Sequence, residues 1–475
     1  MKKRSWFRIL LFVAPMIIGM IGFLADGGCR LSEALFRCLT MYLMEYGDTP
    51  PNLLVDIARW LAPLATASGI LFFLTAAKER IINKFRYLRG NAIAVYGPEA
   101  EQESTLRELG KKGIRGKDRF VKAERYILLG SEEENMSFYT KYEKELEKRT
   151  VYFRSNILPS QHSFSARLIP FSREEIAART FWKEHCIYPM VKESAYHAAI
   201  VILGFGYLGE ELLYWGLQEN IFSPDQKIHY HIFGDCESFL RTHMQLNQIS
   251  DPVHYHAEEW DQSIDVLQSA SMIIVVDQEN QTKLLRDLKC VLPNAPVTVF
   301  CKSNELAAME QKFWGYETFN WTEKSSVVQN ILSDRIYLLA KSIHMRYQHI
   351  YSGIPETPEN REAEWQKLDS FLRMSNISSA DYHEIRLKML NEMHLSPDTL
   401  SADMIELLSE LEHIRWCRYY CLNNWQYGIP EDGTAKSPLL RIHQKLIPYD
   451  ELTDEVKEKD RENIRVLLSI QNTNK

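Results

Sequence analysis

Apolar residues dominate two long spans near the start of the chain, Ile9–Ala25 and Trp60–Ala77, then fall into short bursts from Asn91 to about residue 345, and finally recur at helical spacing. The two spans are 17 and 18 residues long, near the lower limit of about 17 for a helix that crosses the hydrocarbon layer. Arg8 and Arg59 extend them by reaching to the interface. A signal peptide cut after Phe23-Leu24-Ala25 would lack the small residue at minus three, so the pattern predicts an uncleaved two-helix transmembrane hairpin over residues 1–90. Lys2, Lys3, Arg4 and Arg8 flank the first span, and Lys78, Arg80, Lys84, Arg86 and Arg89 follow the second. Positive side chains resist translocation, which places both termini in the cytoplasm of a cell whose plasma (inner) membrane carries the hairpin. Between the spans lies a shorter apolar stretch, Leu35–Met44, ending in Tyr46-Gly47-Asp48-Thr49-Pro50-Pro51; a stretch of that length lies in the interface or dips in and returns.

Past the basic collar the period changes to that of buried strands. Asn91–Gly97, Tyr126–Leu129, Val151–Arg154 and Leu168–Phe171, closed by a single helix over Ser172–Val191, predict a first parallel-sheet unit over residues 91–190. Its first strand runs into Pro98-Glu99-Ala100-Glu101, where a phosphate loop needs bare amides, so this unit is degenerate. Residues 191–350 supply what the first unit lacks. Strand Ala198–Leu203 leads into Gly204-Phe205-Gly206-Tyr207-Leu208-Gly209 and a helix beginning at Glu210. In such a turn the first glycine makes the bend, the second lets a pyrophosphate approach, and the third packs helix on strand. Strand Ile228–Phe233 then ends at Gly234-Asp235, an acid placed to bind ribose hydroxyls, 26 residues past Gly209. Further strands at His254–His256, Met272–Asp277, Val297–Cys301 and Glu317–Asn320 complete a six-stranded parallel sheet, with Asp277 at the crevice end of its strand. The fold class is therefore α/β: tandem Rossmann-type doubly wound sheets, the first degenerate, behind the hairpin.

Several families resemble parts of this plan. Helix, short helix, Tyr46-Gly47-Asp48 and second helix is similar to two-span potassium channels, although Leu43, Met44 and Glu45 precede Tyr46 where those channels carry Thr-Val-Gly. The resemblance implies pore residues Tyr46, Gly47 and Asp48; the other reading is an outer helix that only packs the hairpin. Residues 91–345 resemble the Trk/Kef-type RCK (TrkA-N-like) modules that regulate ion permeation. That resemblance implies an NAD(H) or related adenine-nucleotide site at Gly204, Phe205, Gly206, Tyr207, Gly209, Asp235 and Asp277. In the tail, Glu412-His413-Ile414-Arg415-Trp416, Asn424-Trp425-Gln426-Tyr427-Gly428, Asp432, Lys436, Pro448-Tyr449, Lys459-Asp460 and Asn463 resemble the ryanodine-receptor repeat, or RyR domain. It implies a mainly helical binding module over 355–475 with ligand or interaction residues His413, Trp416, Trp425, Tyr427, Gly428, Asp432, Lys436 and Tyr449. Without the family, the tail reads as an amphipathic helix Ala402–Leu422, a Pro430–Gly433 turn and a charged, exposed helix over Asp454–Leu468.

Composition narrows the function classes. A net charge of -7 with no basic stripe argues against a nucleic-acid partner. The chain has no Gly-x-Ser-x-Gly elbow, no Walker loop and no Cys-x-x-Cys pair, so no enzyme is expected. His229, His231, His254 and His256 alternate on neighbouring strands, but helices over a sheet edge ordinarily bury such residues, and no metal is expected. The combined expectation is a homo-oligomeric (dimeric or tetrameric), nucleotide-sensing, ion-channel-like membrane protein, with a role as an effector in a nucleotide-signalled stress or antiviral system. Its rivals are a membrane-tethered NAD-dependent enzyme and a scaffold that recruits partners through the RyR region.

Overall fold

The computed structural model describes residues 2–26, 29–117, 119–156, 165–276 and 281–472, in two units, Met1–Gly90 and Asn91–Lys475. The first unit is three helices, α1 (Lys2–Ala25), α2 (Leu31–Tyr42) and α3 (Leu53–Leu88). Small residues let them approach closely. A Cβ on Gly19 would stand 2.8 Å from Cys38 Sγ, and one on Gly22 would stand 2.7 Å from a Val55 methyl. Asn52 accepts from the Val55 amide (3.1 Å) to cap α3 and donates to the Gly22 carbonyl (2.7 Å). Ile17, Ile21, Leu64, Leu71 and Phe73 point outward and are exposed. Among the described residues one segment, Leu53–Leu71, is long and apolar enough to cross a membrane, and Phe12–Ala25 is apolar but shorter.

In the second unit a five-stranded parallel sheet has the order β2-β1-β3-β4-β5, from Gly113–Arg115 (β2), Ile93–Tyr96 (β1), Arg125–Leu128 (β3), Thr150–Arg154 (β4) and Leu168–Phe171 (β5). The edge strand β2 has no counterpart in the sequence reading, because three residues with Gly113 and Arg115 carry no apolar alternation. The expected single helix over Ser172–Val191 is two: α4 (Arg173–Glu184), capped by Ser172 Oγ accepting from the Glu175 amide at 2.8 Å, and α5 (Tyr188–Glu193), with proline in its first turn. Pro189 has no amide hydrogen to continue α4 and instead suits a fresh start.

The second sheet is six-stranded and parallel, ordered β11-β10-β9-β6-β7-β8: β6 (Ala199–Leu203), β7 (His229–Phe233), β8 (Val253–His256), β9 (Met272–Val275), β10 (Val297–Cys301) and β11 (Glu317–Asn320). The order reverses direction beside β6, which puts the crevice of a doubly wound sheet at the Gly204 turn. Val201, Leu203, Ile273 and Val275 on one face pack with Leu285 and Leu288. Ile200, Ile202, Tyr230 and Ile232 on the other meet α6 (Gly206–Glu219).

Helix α6 is buried on both its sides. Its far side meets α8 (Ser370–Glu392) and α9 (Ala402–Leu422), which with α7 (Asp334–Ser352) and α10 (Asp454–Asn472) form the helical C-terminal part. Tyr382, Ile385, Leu408 and Leu411 share one apolar cluster with Leu212, Leu213 and Leu217 of α6. The helix expected to be charged and exposed, α10, instead buries Ile464 and Leu467, because its apolar stripe is covered by α7 and α9. A small sheet, β12 (Gln426–Tyr427), β14 (Ile442–His443) and β13 (Lys436–Ser437), closes the end of α9.

Charges hold this junction as much as apolar contacts do. Arg418 of α9 pairs with Asp251 at 2.7 Å, their side chains 3% and 0% exposed, and it also donates to the Leu217 carbonyl at the end of α6 (3.0 Å). Asp381 of α8, fully buried, accepts from Arg179 Nε of α4 (2.6 Å) and from Lys183. Burial alone would raise that carboxyl, but the two cations outweigh it and hold Asp381 well below the usual range. Removing one partner of such a pair strands a buried charge. Arg418→Met is expected to cost about 3–5 kcal/mol of unfolding free energy, whereas Arg241→Met, at the exposed Glu237 pair, should leave the denaturant midpoint unchanged; equal midpoints for the two variants would contradict the role of the buried pair.

Candidate ligand clefts

The glycine turn has the geometry its sequence suggests. Gly204 (φ 91°) and Gly206 (φ 65°) sit in the left-handed region that favours glycine. Nothing lies within 4 Å of where a Gly206 Cβ would be, so the start of α6 is open to a ligand. A Cβ on Gly209 would stand 3.0 Å from the Phe205 ring and 3.1 Å from the Gly204 carbonyl, so a larger residue would have to push the ring and the turn away from the helix. Phe205 turns inward onto Phe239 (5.7 Å, edge to face), while Tyr207 is exposed. The end of β7 abuts the turn, since a Gly234 Cβ would meet the Phe205 amide nitrogen at 3.0 Å. Asp235 is therefore beside it, exposed, accepting from the Glu237 amide at 3.2 Å. Burial and then Asp235 push the Glu210 carboxyl up. Asp277 lies outside the described residues.

The second candidate is a cleft of about 520 Å³ between α7, α8, α9, α10 and the small sheet, within the usual size of small-molecule sites. His413, Trp416 and Lys436 line it, as do Lys445, Lys459, His443, Tyr347 and Tyr351. Trp416 is half-buried and forms an aromatic wall with Tyr420 (4.4 Å) and His443 (5.0 Å). Each carboxylate facing the cleft already has a cation: Glu412 pairs with Arg386 and Arg415, Asp460 with His413, and Glu462 with Arg346 and Arg465. Lys436, Lys445 and Lys459 have no carboxylate within 4.0 Å among the described residues, although the Lys459 ammonium lies 5.0 Å from the centre of the Tyr351 ring. A chain of negative net charge thus concentrates positive potential in one cleft. His443 records that field. Burial first, then Lys436 and Lys445, push its imidazole down to about 4, so it is neutral in the physiological range.

His413 is set the other way. Its Nε2 donates to the Ile447 carbonyl (2.9 Å) and its Nδ1 lies 3.6 Å from Asp460. Burial alone would lower the imidazole, but Asp460 and Cys417 outweigh it and raise it to about 10.

The other predicted RyR-region residues stand away from the cleft. Trp425 is core, stacked on Phe371 (5.5 Å) and against Tyr420. Tyr449 is buried behind His413, with its hydroxyl on Glu406 (3.2 Å). Tyr427 is exposed on β12. Gly428 leaves room for Ile442, whose Cβ would stand 2.9 Å from an added Cβ. Asp432 holds its own loop by accepting from Thr434 N (3.0 Å) and Oγ1 (2.6 Å). The sequence did not single out Lys445 and His443: His443 ends the two-residue strand β14, and Lys445 sits in the turn just after it, its amide donating to His443 Nδ1 at 3.0 Å. In the first unit, Tyr46 is buried edge-on against Phe23 (5.6 Å), Gly47 is open, and Asp48 is exposed 3.9 Å from Arg37.

On the β7–β8 edge the four imidazoles do come together. His229 Nδ1 and His254 Nε2 are 3.0 Å apart, as are His231 Nδ1 and His256 Nε2. Burial, then the neighbouring imidazoles, push His231 down to about 4.

Because the folded-state pKa of His413 is raised above the ordinary ~6.5, its contribution to stability is complete below that value and is lost as pH rises towards about 10. Asp460→Asn should shift this loss to lower pH. Imidazole resonances followed through a pH titration check it, and an unmoved His413 transition would contradict the assignment.

Residues 390–472 match the family model of the RyR domain. Neither the curated proteins nor the solved structures contain a match to this chain. The helical C-terminal part therefore carries a RyR domain, joined by its N-terminal flank, α8, to a Rossmann-like parallel sheet.

Proposed function

We propose that this chain is a nucleotide-sensing integral membrane protein whose RyR cleft takes an anionic, base-bearing ligand and whose glycine turn holds NAD(H) or a related adenine nucleotide. The observation that carries the reading is three lysines, Lys436, Lys445 and Lys459, that have no carboxylate partner among the described residues and stand beside the half-buried Trp416 face. Phosphates need cations that no protein carboxylate has already claimed, and a nucleobase needs an aromatic face. The open Gly206 amide end of α6, with Asp235 beside it, supports the second site.

In this reading residues 1–90 form a two-span hairpin in the plasma membrane with both termini cytoplasmic. The chain assembles as a homo-oligomer, and the ligand state of the cytoplasmic part gates ion permeation through the hairpins. A ligand can do this only if it binds one arrangement better than the other. The candidate arrangements differ in how α9, which forms the Trp416 wall, sits on α6, which begins at Gly206.

The test is calorimetry on the full chain in detergent with ADP-ribose, NAD and cyclic adenine nucleotides, followed by ion flux from liposomes with and without the binder. Lys436→Glu should weaken the cleft ligand at least about tenfold, the loss of roughly one charge-assisted contact. Gly206→Asp should abolish NAD(H) binding and leave the cleft ligand unaffected. No binding by any of these nucleotides, or binding that neither substitution changes, would contradict the proposal.

A further inference from the structure

The β7–β8 edge of the second sheet carries a ladder of imidazoles that neither ligand cleft uses. Parallel register sets His231 opposite His254 and Phe233 opposite His256. With a period of two, His229 and His231 project to the face opposite Tyr230 and Ile232, away from α6. His229, His231 and His254 each offer one ligand atom, and these atoms all lie within 4.8 Å of one another. The 3.0 Å between His229 Nδ1 and His254 Nε2 is close to the ~3.3 Å that two imidazole nitrogens adopt around a tetrahedral ion with bonds of about 2.0–2.1 Å. All four rings are half-buried, so they are held in place yet reachable.

The surroundings orient these rings as well. His256 Nδ1 lies 3.1 Å from a Glu258 oxygen that also accepts from Ser263 (3.0 Å). A proton on that nitrogen leaves His256 Nε2 bare to accept the Nδ1 hydrogen of His231 (3.0 Å). The other nitrogen of His231 then keeps a free lone pair. A metal-binding imidazole ordinarily donates its second nitrogen's hydrogen to an acceptor that fixes its tautomer; here that acceptor is His256, itself held by Glu258. Pure stacking would need no such relay.

We propose that His229, His231 and His254 bind a divalent first-row transition cation of the zinc type, oriented through His256 and Glu258, with the remaining position open to water. Imidazole donors select zinc, copper or nickel over magnesium or calcium, which prefer oxygen. The ion would staple the edge strand β8 to β7, two residues short of Phe233 and four short of Asp235 at the glycine turn. The site does not depend on the nucleotide reading.

The experiment uses the full chain without a polyhistidine tag, stripped of metal, and titrated with Zn2+ by calorimetry and with Co2+ by visible absorption. One tightly bound ion, a cobalt spectrum of nitrogen coordination and a rise in melting temperature with Zn2+ are expected. His231→Asn should remove them. Glu258→Gln keeps every ligand and should lower the affinity about 10–100-fold, so the test survives if His231→Asn fails to fold. No cobalt spectrum, or a Zn2+ affinity that Glu258→Gln and any folded His231 variant leave unchanged, overturns the site.

Discussion

Arg418 and Asp381 reach from the C-terminal helices into the body of the second sheet domain, and the remaining architecture follows from their burial. Their partners Asp251 and Arg179 lie 167 and 202 positions away in the chain. Neither pair can be solvated without lifting α8 and α9 off α4 and α6. Their distances of 2.7 and 2.6 Å and the extra bonds from Gln226 and the Ile228 amide to Asp251 supply the geometry that a desolvated pair requires. The consequence is that Asn91–Lys475 is one body rather than beads on a string.

That body has a mechanical middle, which is α6. One end of the helix begins at Gly206, where the backbone is open to a ligand. Its far side and C-terminal end touch the C-terminal helices: Gln218 accepts from Ser378 of α8 (2.7 Å), Tyr214 accepts from Asn423 (3.3 Å) and the Leu217 carbonyl accepts from Arg418 of α9. Rigid, packed elements carry coupling when they have two discrete arrangements. A helix clamped on one side by a sheet and on the other by the wall of a cationic cleft is suited to that role.

Much of the architecture was legible in the sequence because the local signals agree. The central strands β6, β9 and β10 of the second sheet announced themselves as apolar bursts between turns, and Ala402–Leu422 is helical as its spacing and the capping Ser401 require. The glycines at 204, 206 and 209 were readable because each answers a steric demand. What was hidden depends on partners far along the chain. Asp251, Asp381 and Arg418 look like ordinary surface charges until distant cations and anions bury them. The helix Asp454–Asn472 looks solvated because its stripe, with Ile464 and Leu467, is narrow. In the cleft, His413, Trp416 and Lys436 were legible by motif, but Trp425 and Tyr449 share that motif and are core. An aromatic ring gives no local sign of which it will be. Lys445 and His443 are functional candidates only because α7 and α10 close over them.

The central claim is that the RyR helices and the sheet domain form a single cooperative unit, and native-state hydrogen exchange on the full chain in rising denaturant tests it most directly. The account predicts that amides of Gly206–Glu219 and Ala402–Leu422 open with the same free energy and the same denaturant dependence. Exchange of Ala402–Leu422 through a separate, much cheaper opening that leaves Gly206–Glu219 protected would contradict it.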